Sequence, residues 1–392
     1  MEVLVRILMK KKILTEKEAK EVLGEVRKEI KKSKVAEKDR TKNKKVSLNN
    51  AERSPYWFEK IKISGDLRLR NQWQETESNR RNRVRIRYRL NGILNAGNSF
   101  KIGFGFASGS GDPRSTNVTL DNTFDTKDIR LDHAYVEYSP INYMSFWAGK
   151  YKGIYSSLWE VSDLIWDDDL KPEGGGGKIS FSNERFSLNL NTGFFILKER
   201  KSESDSSMIY FQPHIKIKFP HNLVISGAIS YYNSLGVRGH LLKYSSETNT
   251  IDNGVLKYDY DVLSPEISVE FLKVSDPIPY FSFFGEYVYN TSPESDNEGY
   301  LGGIKFGDRK VNKYGKWQFK YMYRRLERDA WLDTFPDSDS YGGRTGIKGH
   351  EVVFKFGITK NLIFGIDFYR MKKIKLLKDV ENLLQTDFVW KF

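Results

Sequence analysis

From Trp57 to Phe392 the chain alternates apolar and polar residues in segments of about ten. "DLRLRNQW" (66–73) and "FSLNLNTGFF" (186–195) alternate in this way, and so do "HIKIKF" (214–219) and "EISVEF" (266–271). "KWQFKYMYR" (316–324), "EVVFKFGI" (351–358) and "NLIFGIDFYR" (361–370) repeat the pattern. The sharpest case is Arg81–Leu90, "RNRVRIRYRL", where arginine takes every second place and Val84, Ile86, Tyr88 and Leu90 take the others. A period of two is that of a strand with one apolar face and one polar face.

The connections say how the strands are arranged. Short turns are expected at 95–98, 139–142, 182–185, 220–222, 275–277, 307–315 and 359–361. Between them come longer, mostly polar or acidic connections, notably 108–128, 152–173, 233–256 and 327–346, with others near 75–80, 198–206, 291–298 and 371–381. Seven short turns alternating with eight loops imply 16 strands, with all the short turns at one end. Residues 57–392 then allow 21 per strand with its connection, enough for the roughly 9–11 residues that cross a membrane. In hydrocarbon every backbone group must pair within the protein, so such a sheet must close. The predicted fold is all-β, a transmembrane antiparallel β-barrel of about 16 strands with a short N-terminal α-helical extension. A barrel of that size is too wide for strand side chains to fill, so water enters. Aromatics near strand ends, such as Trp73, Tyr138, Phe181, Phe219, Tyr289, Phe306 and Tyr323, suit the two membrane interfaces. On the last strand Phe388, Trp390 and Phe392 share one face, which resembles the signal read by bacterial barrel-assembly machinery.

The N-terminal segment has a different texture. Residues 1–32 read as a helix, with Thr15 and Glu18 as a capping box. Ala19, Val22, Leu23, Val26 and Ile30 form a narrow apolar seam that needs a partner. Residues 33–56 form a basic linker without periodicity. "VLVRILM" (3–9) is too short and too charged for a signal peptide, so either a signal was removed or the true start lies upstream.

Charge sharpens this division. The net charge of +13 is concentrated at the front. Residues 1–55 carry 17 Lys/Arg against 9 Asp/Glu, and the rest of the chain 47 against 42. The body is therefore nearly balanced, which argues against a nucleic-acid partner. Mean hydropathy is −0.57, and no apolar run reaches the 18 or so residues of a spanning helix. Cysteine is absent, so there are no disulfides and no thiolate chemistry.

Several motifs fall in a familiar order: "ISGDLRLR" (63–70), "RVRIRYRL" (83–90), "GSGDPRSTNVTL" (109–120), "IRLDHAYVEYSP" (129–140), "FWAGKYKG" (146–153) and "IWDDDLKPEGGG" (165–176). Together they resemble the putative porin family of Gram-negative outer membranes, which looks related to the phosphate-selective porins. "KKILTEKEAKEVL" (11–23) is similar to a periplasmic helix that members often carry ahead of the barrel. The close motifs span residues 63–176. The resemblance implies passive transport of small hydrophilic solutes and a homotrimer; a phosphate preference is not carried over. The chain is short for that family and rich in lysine.

With the apolar faces outward, Arg68 and Arg70, with Asp66, point into the lumen beside Arg83, Arg85, Arg87 and Arg89. Lys216, Lys320 and Arg324 share the polar face of later strands. Stacked guanidiniums repel strongly in low dielectric but are tolerable in water. Asp163, Asp167, Asp168, Asp169 and Glu173 crowd the fifth-to-sixth-strand loop, which in general porins folds into the barrel. Folded inward, it would set acids against the arginine ladder and create a charged constriction. Two other readings are a surface loop bridged by divalent ions to lipopolysaccharide and a calcium site at "DDD" (167–169). "GSGDPRS" (109–115) is turn chemistry, and "EGGGGK" (173–178) opens a strand, with its glycines read as loop flexibility. Adjacent Asp132 and His133 require a bulge on the fourth strand. The five histidines are scattered, and no Ser–His pair suits an enzyme.

The sequence thus predicts a porin in the outer membrane, surrounded by lipid and lipopolysaccharide, with a periplasmic N-terminal extension. No cofactor and no metal are expected. The alternatives are a substrate-specific channel for sugars or oxyanions and a non-channel barrel that tethers the outer membrane to the cell wall through residues 1–50.

Overall fold

In the computed structural model the described residues are 61–375 and 379–392, together with Thr15, Lys17, Lys20, Glu21, Gly24, Glu25 and Lys28. Of the N-terminal group all but Thr15 are helical. Glu18 of the expected capping box, the apolar seam and the linker 33–56 lie outside the described residues.

The alternating segments become sixteen long strands. The first eight are β1 (Ile61–Glu75), β2 (Arg80–Ala96), β3 (Phe100–Ser108), β4 (Ile129–Ile141), β5 (Met144–Lys150), β6 (Glu173–Ser182), β7 (Phe186–Lys198) and β8 (Ser206–Lys218). The second eight are β9 (Leu223–Leu235), β10 (Asp261–Leu272), β11 (Tyr280–Asn290), β12 (Glu298–Gly307), β13 (Trp317–Leu326), β14 (Ile347–Gly357), β15 (Leu362–Lys373) and β16 (Val380–Lys391). Each is hydrogen-bonded to the next, and β16 returns to pair antiparallel with β1, so no edge is left open. Closure continues to the last residue, where Gly65 and Phe392 exchange backbone hydrogen bonds of 2.9 and 3.1 Å. A Cβ on Gly65 would meet the Phe392 ring at 2.6 Å, so glycine is needed where the chain end lies across β1.

The two faces carry different chemistry. Leu67 and Leu69 on β1 and Val84 on β2 point outward and stay about two-fifths exposed. Removal of apolar surface from water is worth roughly 25 cal/mol per Å², and for this belt lipid accomplishes it. Rings gather near the two ends of the belt. Phe100 stacks on Tyr138 at 4.5 Å and Tyr143 on Phe181 at 5.6 Å, and Tyr300 packs with Tyr323 at 6.3 Å.

All seven expected short turns connect strands as the spacing predicts, and the long connections are 109–128, 151–172, 236–260 and 327–346. The bulge on β4 falls at Asp132. Gly105 faces His133 and Phe106 faces Leu131, so one residue is passed over and His133 turns to the buried side. The glycines after Glu173 open strand β6 as expected, but they are held in register with β5 and β7 rather than left as a flexible loop. A Cβ on Gly176 would lie 2.5 Å from the Tyr210 hydroxyl and 2.7 Å from Trp147 Nε1. The glycines therefore leave room for large rings on neighbouring strands.

The lumen is less empty than strand number alone implies. Loops 151–172, 236–260 and 327–346 send Ile154, Leu164, Trp166, Leu256, Trp331 and Leu332 into one buried apolar cluster. Met208, Tyr210, Tyr232, Val288 and Met322 meet them from the wall. Trp166 is central, with its ring 5.1 Å from Trp331 and 5.0 Å from Phe335 and its Nε1 donating to the Tyr232 hydroxyl at 3.1 Å. The wall contribution to this cluster comes from β4 to β13. β1 and β2 carry polar and charged groups inward instead, while β15 and β16 combine inward Gln385 and Asp387 with a smaller apolar cluster of Tyr369, Met371 and Leu383. The interior is thus divided between an apolar packed side and a charged side.

Candidate pore constriction

The charged side is built by strand register. β1 and β2 place Arg68 opposite Arg87 and Arg70 opposite Arg85, and β16 places Asp387 opposite Arg70. All these side chains are on the inward half of the alternation. Arg70 grips Asp387 with two bonds of 2.7 and 2.8 Å and reaches Asp339 at 3.1 Å. Asp66 accepts from Arg87 at 2.9 and 3.0 Å and from Arg89 at 2.8 Å. The ladder is therefore not a bare column of like charge, because acids are set between its rungs.

Part of it has no such neutralisation. Arg83 donates to Gln74 at 3.3 Å, and Arg85 donates to Gln72 at 3.0 Å and to the Asn117 carbonyl at 3.4 Å. Arg68 donates to Asn117 Oδ1 at 2.6 Å, with Asp387 no nearer than 3.7 Å. Among the described residues Arg83 and Arg85 form no ion pair. The Nε atoms of Arg68, Arg83 and Arg85 find no acceptor.

Loop 151–172 folds into the barrel. It runs along the inner wall and is fastened at each step. Trp159 exchanges hydrogen bonds with Gln212 on β8 and stacks on His214 at 4.5 Å. Val161 N–H donates to Glu266 on β10 at 2.7 Å, and Ser162 Oγ donates to Glu286 on β11. Asp163 pairs with Arg324 on β13 at 2.6 Å. The loop then turns through the aspartate run to the ladder.

The acids of this loop have separate tasks. Asp169 contacts Arg89 directly at 3.1 Å and also accepts from the Thr116 backbone and hydroxyl. Burial alone would raise this carboxyl, but the guanidiniums of Arg87, Arg89 and Arg68 outweigh it and bring it down to about 2. Asp167 turns away and accepts the backbone N–H groups of Asp169 and Ser338 at 2.9 and 2.8 Å. Burial, followed by Asp168 and Asp169, pushes Asp167 well above the ordinary carboxylate range. Asp168 alone is exposed to the lumen. Of the five acids expected opposite the arginines, then, one touches the ladder, one faces the water and one holds the loop backbone. Asp163 belongs to a second cluster.

In that second cluster Arg324 is almost fully buried and meets Asp163, Asp337 at 3.4 Å and Glu351. Lys320 adds a bond of 3.0 Å to Glu351. These two cations bind loops 151–172 and 327–346 to β13 and β14. They are not members of the ladder. Glu173 is also placed elsewhere; it is exposed at the start of β6 and paired with Lys150 at 2.8 Å. Lys216 lies on the inward face of β8 beside His214, away from β1 and β2. Phe388 and Trp390 on β16 face outward, and Phe392, one residue beyond it, is exposed as well.

Asp387, Asp339 and Asn117 join the site without having been singled out in the sequence. The alternation of "QTDFVWKF" does put Asp387 inward, and only the β16–β1 pairing sets it against Arg70. Asp339 and Asn117 lie in long loops, where no periodicity reports position.

The chain matches the family described as Putative porin over residues 73–270 and 258–392. It belongs to that family. Membership marks a channel of the outer membrane rather than an enzyme. No curated protein matches the chain. Among solved structures it is similar to OprB of Pseudomonas putida at high pH, with TM-score 0.56 and 11% identity over 86% of this chain and 95% of that one. It is also similar to OmpF of Salmonella typhi in complex with daunomycin, with TM-score 0.51 and 10% identity over 85% and 97%. At such identity these likenesses speak for the fold, a closed 16-strand antiparallel barrel.

Proposed function

We propose that this porin passes small hydrophilic solutes by passive diffusion through a charged constriction and that it favours anions. The observation that carries this reading is the pair Arg83 and Arg85, inward on β2 with only neutral acceptors. Unneutralised guanidiniums beside a water path attract anions and repel cations, as rings of Arg and Lys do in anion pores. Asp169 and Asp66 hold Arg89 and Arg87, which fixes the geometry of the inner loop and leaves the free charge to its neighbours. Loop 151–172 supplies the opposing side through Asp168.

The rest of the reading concerns context. The N-terminal segment lies in the periplasm, where its basic residues can meet the cell wall. The outward rings of Phe388, Trp390 and Phe392 serve assembly into the membrane. The functional unit is a homotrimer, as the porin fold suggests.

The test is conductance in planar bilayers made with the purified full-length protein. Stepwise conductance that survives removal of residues 1–50 supports a diffusion pore. No conductance from correctly inserted protein contradicts it and favours a tether between outer membrane and cell wall.

A further inference from the structure

We propose that Glu160, Glu266 and Glu286 bind one divalent cation of the calcium type, and that this ion pins the inward loop to the barrel wall. Glu266 on β10 stands directly across from Glu286 on β11. Glu160 comes from loop 151–172, and one oxygen of each of the three lies within 4.8 Å of the others. Like charges directly opposite on neighbouring strands destabilise the pair. A third carboxylate brought in by the loop makes the repulsion worse.

Several other acidic groups inside the barrel are met by cations: Asp163 and Glu351 by Arg324 and Lys320, and Asp169 by Arg89. Among the described residues no Lys, Arg or His pairs with Glu160, Glu266 or Glu286. Their hydrogen bonds come from neutral donors. Tyr232 donates to Glu160 at 3.0 Å, Val161 N–H to Glu266 at 2.7 Å, and Ser162 to Glu286. Ser264 also reaches the second oxygen of Glu286 at 3.4 Å, whereas Glu160 Oε2 and Glu266 Oε1 accept from no donor.

An independent sign points to a ligand. Glu266 is 4% exposed, and its Oε1 is buried without any hydrogen-bond partner. Glu160 Oε2 is in the same state. A buried carboxylate oxygen with nothing to accept from is costly. A divalent ion answers both problems, since it supplies charge and takes up the free oxygens. The donors are all oxygen, with several carboxylates, which suits calcium and disfavours zinc. Water completes the coordination shell.

The consequence is mechanical. The ion would join Glu160 of the loop to β10 and β11, on the far side of the loop from Asp169 and its contact with β2. The loop would then be clamped at both ends of its inward course.

Terbium luminescence on the full-length protein in detergent, with Trp159 as the sensitiser next to Glu160, tests this. The expected result is one saturable terbium site per chain at pH 7.5, displaced by calcium and weakened at least tenfold in Glu266→Gln and in Glu286→Gln. No saturable site in the wild-type protein overturns the proposal. So does binding unchanged in both variants, or lost in Asp168→Asn but kept in Glu266→Gln, which would move the site to the aspartate run. Should the glutamine variants fail to fold, the wild-type melting temperature decides. A rise with calcium that magnesium does not reproduce supports the site, and no rise contradicts it. Binding in micelles does not depend on conduction, so this result stands apart from the pore reading.

Discussion

Arg324 shows how much a single residue holds inside this barrel. Its guanidinium joins two loops to the wall through Asp163, Asp337 and Glu351. Removing one partner of a buried ion pair strands the other charges, at about 3–5 kcal/mol. Arg324→Gln should therefore lower the thermal stability of the folded barrel by about that amount, read from heat-dependent electrophoretic migration. Asp169 makes a complementary case. Its carboxyl is held at about 2, below an unfolded value of about 3.9. A lowered carboxylate pKa stabilises the folded state above the unfolded value, and the contribution is lost as pH falls through the folded one. The Asp169 contact with Arg89 should persist at pH 5 and fade between about pH 4 and pH 2, and Asp169→Asn should remove that acid-sensitive step from the unfolding profile. Single residues were only partly legible in the sequence. Alternation put Arg83, Arg85, Arg87 and Arg89 on one face, but it could not show that Asp66 and Asp169 would neutralise two of them and leave the other two free.

At the scale of elements, the strands were the legible part. A period of two together with the rhythm of short and long connections gave their number, their order and the bulge beside His133. The start of β6 was legible, but its glycine run looks flexible by composition and is in fact paired on both sides. Its reason lies on neighbouring strands, in the space taken by Trp147 and Tyr210. Gly176→Ala should force those rings aside and destabilise the barrel by about 1–3 kcal/mol, whereas Gly97→Ala, in a turn with open space around it, should cost less despite its φ of +81°. Loop 151–172 was legible as acidic but not in its path. That path is set by Trp166 in its aromatic nest and by Gln212, Glu266, Glu286 and Arg324 on four different strands. Shortening the loop across residues 156–168 should widen the passage and raise single-channel conductance; unchanged conductance would show that it does not limit the pore.

At the scale of the whole molecule, closure is what turns a two-faced sequence into a channel. β16 meets β1, the apolar face becomes a belt for lipid, and the polar face becomes a lumen. The sequence alone suggested an open, water-filled interior. Loops carrying Trp166, Trp331 and Leu332 instead pack its side along β4 to β13. This asymmetry is invisible in periodicity because it depends on contacts between loops far apart in the chain. On the proposed reading the solute path passes Arg83 and Arg85 on β2, and their charge sets the selectivity. The most direct measurement is the reversal potential in a potassium chloride gradient across a planar bilayer, for the wild-type protein and for the Arg83→Gln, Arg85→Gln double variant. The account predicts an anion-selective potential for the wild type and a clear shift toward cation selectivity in the variant. A cation-selective wild type, or the same reversal potential for both proteins, would contradict it.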